Sequence, residues 1–390
     1  MKRIPFLFAM SIVLVATGSC GGTSAPDGYD YYDQCEPDVA PDDCYAMRRN
    51  PDSEQVAMAS AIALRYIDGH PAEDEIWDWK SGVLMFALTE LYRVTGEPAL
   101  HDYYQSWLDY RIEQGYQLVW SDSCPPAITA VALLREGSDD RYQQVVDDTL
   151  EYLDVTAPRT DQGGISHNGI LGKKSIWLDS LFMFGMVLNR WGEFADPARL
   201  DMMSEQIEIF ADGLQDEGGF MRHAQDWPGY DESVYWARGN AWVVASLADY
   251  LRIQVERGDP DVVVDRVFRD HVQAIMGAQQ SGGLWLSVMS HPEEADNYLE
   301  TSASALFAYG AARAYRYGVL GDQERDAAQR AVEAIKQTIG EVGGPVVSGV
   351  SLATDPWSLP EYLGVPVGDD VNYGVGAVIL ALLETSGLRD

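Results

Sequence analysis

The sequence predicts an all-α fold, an (α/α)6 barrel of six helical hairpins. Apolar residues recur with helical periodicity after about residue 52, whereas the alternation typical of β-strands is scarce. Short and long connections between the predicted helices alternate, and no internal linker divides them. A hairpin unit repeated without internal breaks predicts one barrel domain over residues 53–390.

The periodic segments are long enough for three or more helical turns each. The predicted helices are residues 53–68, 79–95, 98–113, 125–136, 139–154, 176–191, 197–213, 237–256, 260–277, 300–317, 323–340 and 372–386. Turns such as 96–97, 137–138 and 258–259 are short, whereas connections such as 155–175 and 214–236 are long. Antiparallel pairs place all short turns at one end of a barrel and all long loops at the other. Loops gathered at one mouth commonly carry function.

The first residues have the features of an export signal. Lys2 and Arg3 precede an apolar stretch, residues 6–15, that is too short to span a bilayer. Small residues before Cys20 resemble a bacterial lipoprotein cleavage site, although Thr17 stands where Leu is usual and leaves ordinary cleavage open. We therefore expect a signal over residues 1–20, a lipid on Cys20, and an exported protein of the periplasm or cell surface.

Residues 21–52 are rich in Gly, Pro, Asp and Tyr and predict a flexible linker. Within it, Cys35 and Cys44 could close a small disulfide loop in an exported chain. Cys124 has no obvious partner and is expected to be a buried apolar residue. The net charge of −34 argues against nucleic acid or an anionic membrane surface as a partner. An anionic ligand would therefore need local positive charge in its pocket.

A motif with two Trp residues is the clearest candidate for a binding site. Residues Trp236-Ala-Arg-Gly-Asn-Ala-Trp242 place Arg238 between two indoles at a helix start, with Asn240 two residues on. Indole faces pack on sugar rings, and guanidinium groups bind carboxylates in a fork. A Trp-lined core turn with Arg238 paired to a buried acid is an equal alternative from the motif alone.

Two carboxyl groups and two imidazoles lie at the same predicted end. Asp179 lies in an apolar first helical turn, where an unused carboxylate would be costly. Asp122, before Pro125, could be a catalytic acid or only a helix cap. His167 and His223 each follow a Gly-Gly turn in a long loop. The sequence has no phosphate loop, dinucleotide fingerprint, Ser elbow or helical metal-binding His pair, so no cofactor or metal is predicted.

Three stretches resemble glycoside hydrolase families 88 and 105, the unsaturated glucuronyl and rhamnogalacturonyl hydrolases. They are Ile176-Trp-Leu-Asp-Ser-Leu-Phe-Met183, Tyr235-Trp-Ala-Arg-Gly-Asn-Ala-Trp242 and Tyr298-Leu-Glu-Thr-Ser-Ala-Ser-Ala-Leu-Phe-Ala-Tyr309. The resemblance implies an (α/α)6 barrel that adds water across the C4=C5 bond which polysaccharide lyases leave on a uronate.

The resemblance also implies roles for individual residues. Asp179 matches the acid/base that protonates C4 and deprotonates water, a role that suits a carboxyl with a raised pKa. Asp122 matches a second catalytic acid. Substrate-binding positions are expected at Arg238, Trp242, His223, His167, Trp177 and Asn240. Arg238 is expected to bind the uronate carboxylate through its fork.

The expected substrates are unsaturated uronyl disaccharides or short oligosaccharides made by lyases. The first expected substrate is unsaturated galacturonyl-rhamnose from pectin. The second is unsaturated glucuronyl-rhamnose from an ulvan-type polysaccharide. Two alternatives stay open at this point: another (α/α)6 sugar enzyme, such as an epimerase or an inverting hydrolase, and a lipid-anchored sugar-binding protein without catalysis.

Overall fold

The structure is a computed structural model that describes residues 49–340 and 343–388. The predicted signal, the predicted lipid attachment at Cys20, and the cysteines Cys35 and Cys44 lie outside the described residues. Within them, no helix is long and apolar enough to cross a membrane. Cys124 is buried and unpaired, and burial raises the pKa of its thiol.

Helices dominate the described residues. They are α1 (Glu54–Gly69), α2 (Trp79–Thr95), α3 (Pro98–Gln114), α4 (Pro126–Glu136), α5 (Asp140–Glu151), α6 (Ser180–Met183), α7 (Gly185–Phe194), α8 (Ala198–Leu214), α9 (Ala237–Arg257), α10 (Val262–Gly277), α11 (Thr301–Arg316), α12 (Asp322–Thr338), α13 (Leu359–Leu363) and α14 (Asn372–Thr385). Short 3₁₀ segments and one π-helical segment lie in the connections, at Ala72–Asp74, Ser121–Ser123, Tyr152–Thr156 and Gly169–Leu171. Four two-residue strands form two antiparallel pairs, β1 (Trp285–Leu286) with β2 (Leu299–Glu300) and β3 (Val350–Ser351) with β4 (Val367–Gly368).

These helices form an (α/α)6 barrel, as the sequence predicts. The inner ring consists of α2, α4, α6 with α7, α9, α11 and α14, each in contact with the next, and α14 closes the ring against α2. Each inner helix also packs on one outer helix, α3, α5, α8, α10, α12 or α1. Five hairpins are continuous in sequence, whereas the sixth joins the two chain ends because α14 packs on α1.

Burial distinguishes the two rings. In α9 every residue from Ala237 to Gln254 is buried, as expected for a helix enclosed on all sides. In α12 the buried residues recur every three or four positions, which leaves a polar face for solvent. Inner helices also approach closely: a Cβ on Gly310 would lie 2.7 Å from Val244 Cγ1. Only glycine permits this contact between α11 and α9.

A buried ionic cluster fills the short-turn end of the inner ring. Arg313 Nη2 lies 2.9 Å from Asp249 Oδ1, and Arg49 Nη2 lies 2.5 Å from Glu384 Oε2. Removing one partner from such a pair leaves an uncompensated buried charge and costs about 3–5 kcal/mol. The buried position of Arg49 corrects the predicted linker, because the folded part begins by residue 49 rather than after residue 52.

The predicted helix 176–191 is wrong at its start. Its first residues are extended, because Leu178 N donates to His223 O and Ile176 O accepts from Gln225 N. Helical structure begins only at Ser180, and a break at Phe184 separates α6 from α7. This extended entry places Asp179 at the mouth of the barrel, directly before a helix.

Candidate active site

A cavity of about 440 Å³ opens at the end of the barrel that carries the long loops. It is lined by Trp79, Lys80, Trp120, Asp122, His167, Asn168, Trp177, Asp179, Met183, Trp227, Trp236, Arg238, Ala353, Thr354, Asp355 and Trp357. Six of these residues are tryptophans. The cavity therefore lies at the end of the barrel where the sequence predicts that the long loops gather.

Asp179 is buried in the cavity wall beside His223. The His223 Nε2 atom lies 3.2 Å from Asp179 Oδ2, yet the approach is off-line and neither atom has a hydrogen-bond partner among the described residues. Burial works to raise the pKa of Asp179, but the imidazoles of His223 and His167 outweigh it and hold that pKa below its usual value. Asp179 is therefore ionised at neutral pH.

The pKa of Asp122 is shifted in the opposite direction to that of Asp179. It lies in the 3₁₀ segment Ser121–Ser123, and its Oδ1 atom has no hydrogen-bond partner within the described part of the chain. Burial, together with the charges of Asp179 and Asp78, raises its pKa well above the usual value. His167 Nε2, at 3.7 Å from Asp122 Oδ1, does not offset this.

These directions correct one expectation from the sequence. The raised pKa belongs to Asp122 and not to Asp179. The reason is that burial, reinforced by the charges of Asp179 and Asp78, raises the pKa of Asp122, whereas the His223 imidazole, 3.2 Å from Asp179, outweighs the effect of burial there. Two carboxyl groups in one cavity, with pKa values displaced in opposite directions, supply a proton donor and a proton acceptor.

His167 and Trp177 form one stacked wall of the cavity. Their rings are parallel with centroids 4.2 Å apart. The imidazole Nδ1 lies 3.0 Å from Ser180 Oγ. Burial lowers the pKa of His167 to about 4, so the ring is neutral at pH 7. The buried indole Nε1 of Trp177 has no hydrogen-bond partner among the described residues. Both residues are where the sequence predicted a substrate contact.

Arg238 lines the cavity and lies in a column of rings. Its guanidinium is 4.6 Å from the Trp236 ring centroid and 5.2 Å from that of Tyr373. Its Nη1 and Nη2 atoms donate to Ser351 O and Leu352 O, each at 2.7 Å. Each terminal nitrogen keeps a second N–H, and Nε has no hydrogen-bond partner among the described residues, so the expected fork on a uronate carboxylate stays a prediction. The side chain supplies a buried positive charge at the cavity.

Two further predicted contacts lie outside the cavity. Trp242 is buried one layer deeper, with its ring 4.6 Å from Phe182 and 6.0 Å from Trp79. The Asn240 side chain is buried and bonded to the main chain of Met221 and to Trp236 O. These geometries correct the prediction that either residue lines the substrate site. Both instead hold residues that form the wall.

The structure adds residues that sequence reasoning did not select. Lys80 lines the cavity directly after Trp79, and its ammonium, 3.7 Å from Asp78 Oδ2, brings a positive charge to this wall. Thr354, Asp355 and Trp357 come from the long loop before α14. Lys80 could have been found from its place at a predicted helix start on the rim. The loop residues carry no local pattern that reveals their position.

Several buried polar atoms at this cavity have no hydrogen-bond partner among the described residues. They include Asp122 Oδ1, Asp179 Oδ2, His223 Nε2, Trp177 Nε1 and Asn168 Nδ2. Native proteins satisfy nearly all such atoms, so each exception needs an explanation. Unpaired donors and acceptors between aromatic walls are what a polar ring such as a sugar requires.

The sequence also matches a known family over almost all of the described residues. The sequence profile of Glycosyl Hydrolase Family 88 matches residues 55–388. This chain belongs to glycosyl hydrolase family 88. As a family 88 protein it is a glycoside hydrolase, of the group that contains the unsaturated rhamnogalacturonyl and glucuronyl hydrolases.

Two relatives of this family 88 enzyme are similar over much of their length. It is 27% identical over 250 residues to the unsaturated rhamnogalacturonyl hydrolase YesR of Bacillus subtilis, covering 60% of this chain and 69% of the relative. It is 24% identical over 340 residues to an unsaturated 3S-rhamnoglycuronyl hydrolase of Formosa agariphila, covering 80% of this chain and 85% of the relative.

Solved structures show the same fold. A possible GH105 member from Salmonella enterica superposes with a TM-score of 0.76 at 23% identity, covering 86% of this chain and 96% of that one. The unsaturated glucuronyl hydrolase of Bacillus sp. GL1 superposes with a TM-score of 0.67 at 18% identity, covering 85% of this chain and 95% of that one. At these identities the likeness concerns the fold.

Proposed function

We propose that this family 88 enzyme hydrates the C4=C5 bond of an unsaturated uronyl residue at the non-reducing end of a lyase-generated oligosaccharide. The uronate then leaves as a keto sugar. One observation carries the proposal: two buried carboxyl groups, Asp122 and Asp179, line one aromatic cavity, and their surroundings shift their pKa values in opposite directions. Hydration of a double bond needs one group to give a proton and another to accept one.

The proton transfers follow from this pair. A proton added to C4 leaves cation character at C5, which the ring oxygen shares. Water attacks C5 while a base takes its proton, and the resulting hemiketal collapses and opens the glycosidic link. Asp122 is the donor to C4, and Asp179 is the base for water. This division revises the expectation that Asp179 performs both transfers. The carboxylate spacing of retaining and inverting glycosidases does not apply, since no displacement occurs at C1.

Positive charge near the cavity suits the carboxylate of the substrate. Two lining residues carry positive charge: Lys80, whose ammonium is 3.7 Å from Asp78 Oδ2, and Arg238, whose buried guanidinium lies 4.6 Å from the Trp236 ring centroid. In a chain of net charge −34 these cations oppose the overall field. Their position supports an anionic sugar in this cavity rather than a neutral one.

The second sugar of the substrate is proposed from the relatives. YesR is named for rhamnogalacturonyl substrates and the Formosa enzyme for 3S-rhamnoglycuronyl substrates. We infer that the sugar next to the uronate is rhamnose, from a pectin-type or an ulvan-type polysaccharide. A panel of lyase-generated disaccharides with different second sugars, followed by loss of the enol-ether absorbance, identifies the preferred one. A preference for glucose or an amino sugar over rhamnose would contradict this inference.

Solvent deuterium tests the reaction itself. In heavy water, a reaction stopped early should place one deuterium stereospecifically at C4 of the released uronate, as read by NMR against a control without enzyme. Ordinary glycoside hydrolysis breaks the C1–O bond and leaves C4 unlabelled. The matched disaccharide with a saturated uronate should be inert because it has no enol ether to protonate. Cleavage of that saturated analogue at a comparable rate would contradict the mechanism.

We also propose that the enzyme is exported and anchored through a lipid on Cys20. The support is the short apolar stretch after Lys2 and Arg3 and the small residues before the cysteine. Cells that express the full chain with labelled palmitate should incorporate the label, and Cys20→Ala should abolish it. A labelled Cys20→Ala protein, or an unlabelled wild type, would reject the anchor.

A further inference from the structure

Tyr362 contacts His223, the histidine beside Asp179, from outside the cavity. Its hydroxyl lies 2.6 Å from Nδ1 of His223, and the other nitrogen of the same ring, Nε2, lies 3.2 Å from Asp179 Oδ2. Both Tyr362 and His223 are buried. The imidazole therefore connects a phenol on one side with the carboxylate on the other.

The direction of the first hydrogen bond follows from the surroundings of the phenol. Burial raises the pKa of Tyr362, so the hydroxyl keeps its proton. A protonated phenol 2.6 Å from Nδ1 of His223 is placed to donate its proton to that nitrogen. A neutral imidazole that accepts at Nδ1 carries its own proton on Nε2.

Tyr362 is held in place by its own small apolar cluster. Its ring packs with Val234, Trp236 and Val288, apart from the main core of the barrel. It lies on α13, which begins with a capping box in which Ser358 N donates to Glu361 Oε2 at 2.9 Å. The residues just before α13 form part of the cavity wall. The position of this loop and the contact to His223 are thus coupled.

We propose that Tyr362 is a positioning residue that fixes the His223 proton on Nε2, facing Asp179. The role rests on the function proposed above for Asp179. A His223 ring with its proton on Nδ1 would instead turn the lone pair of Nε2 toward the Asp179 carboxylate, whose Oδ2 lies 3.2 Å away. The orientation of a histidine by a third group is common in catalytic sites.

The variant Tyr362→Phe tests the proposal, because it removes the hydroxyl and keeps the ring in its cluster. We expect kcat on an unsaturated disaccharide to fall by about tenfold to a hundredfold, the range found when groups that orient histidines at metal sites are removed. KM should stay within about twofold, since Tyr362 does not line the cavity. Two-bond ¹H–¹⁵N spectra of the ring nitrogens should show the Nε2–H form of His223 in the wild type and a mixture in the variant.

Tyr250→Phe is the matched control. Tyr250 is also buried, and its hydroxyl bonds Asp261 on the outer side of α9, away from the cavity. This variant should lose thermal stability similarly while kinetics and His223 resonances stay unchanged. Wild-type kinetics in Tyr362→Phe would overturn the proposal, and so would an Nδ1–H form of His223 in the wild type, even if the variant failed to fold. Failure of the proposed reaction would instead appear as an inactive wild type, with the spectra still interpretable.

Discussion

Asp179→Asn is expected to lower kcat by ~10²–10⁴, the usual loss when a general acid or base is removed. The change is nearly isosteric, so the extended entry of Leu178 and the start of α6 should persist. Binding should be nearly intact, because the aromatic walls do not depend on the charge. Steady-state kinetics on an unsaturated uronyl disaccharide, with binding measured calorimetrically, separates the two effects.

Asp201→Asn is a matched control for this variant. Asp201 lies in the first turn of the outer helix α8 and is exposed, so the same chemical change there should leave kinetics unaltered. Retention of more than about a tenth of the wild-type rate by Asp179→Asn would remove Asp179 from the mechanism, on the same scale of general acid–base effects.

Asp122→Asn is expected to cause a similar loss of ~10²–10⁴ in kcat, because Asn cannot supply the proton for C4. The deuterium experiment gives an independent check, since residual product from this variant should still carry its label at C4. If Asp122→Asn kept most of its rate while Asp179→Asn did not, Asp179 would perform both proton transfers, as the family motif implies.

The same variant should also be more stable than the wild type at neutral pH. The pKa of Asp122 is raised in the folded protein, whereas an unfolded chain has an Asp pKa of about 3.9. The stability associated with a protonated Asp122 is fully present below pH ~4 and is lost as pH rises toward the folded-state pKa. Because Asn does not ionise, the variant does not lose this folding stability as the pH rises.

Thermal melts of wild type and Asp122→Asn across pH make this prediction measurable. The variant should melt at a higher temperature at pH 7, and the difference should shrink to nothing near pH 4. Equal melting temperatures at both pH values would contradict the raised pKa. Lower activity with higher stability is the trade-off expected where a catalytic group is buried at a cost.

Local patterns were enough to predict the architecture. Helical periodicity and the alternation of short and long connections depend on neighbouring residues, and they led to the (α/α)6 barrel and to the end at which its site lies. Asp179, His167 and Trp177, each predicted in or beside a long loop with an unusual local composition, line the cavity at this end. Whether they act on substrate is decided by the experiments above.

Only the tertiary structure decided how these groups behave. The pKa of Asp179 is lowered by an imidazole from another loop, and that of Asp122 is raised by burial and by carboxylates distant in sequence. Arg238 donates to carbonyls 113 and 114 residues away, which no motif around it indicates. The motif predicted that Trp242 and Asn240 lie near the site. In the structure both side chains pack one layer behind the residues that line the cavity.

The helix predicted over 176–191 illustrates the same limit. Its sequence is apolar and periodic from Ile176, yet Ile176 and Leu178 bond to residues of the 214–236 loop and remain extended. Sequence by itself therefore determined the repeat, the rings and the functional end of the barrel, because these follow from periodicity and connection length. Protonation, the partners of Arg238 and the contact between Tyr362 and His223 depend on segments that meet only after folding, because electrostatic and hydrogen-bond energies are set by distance in space.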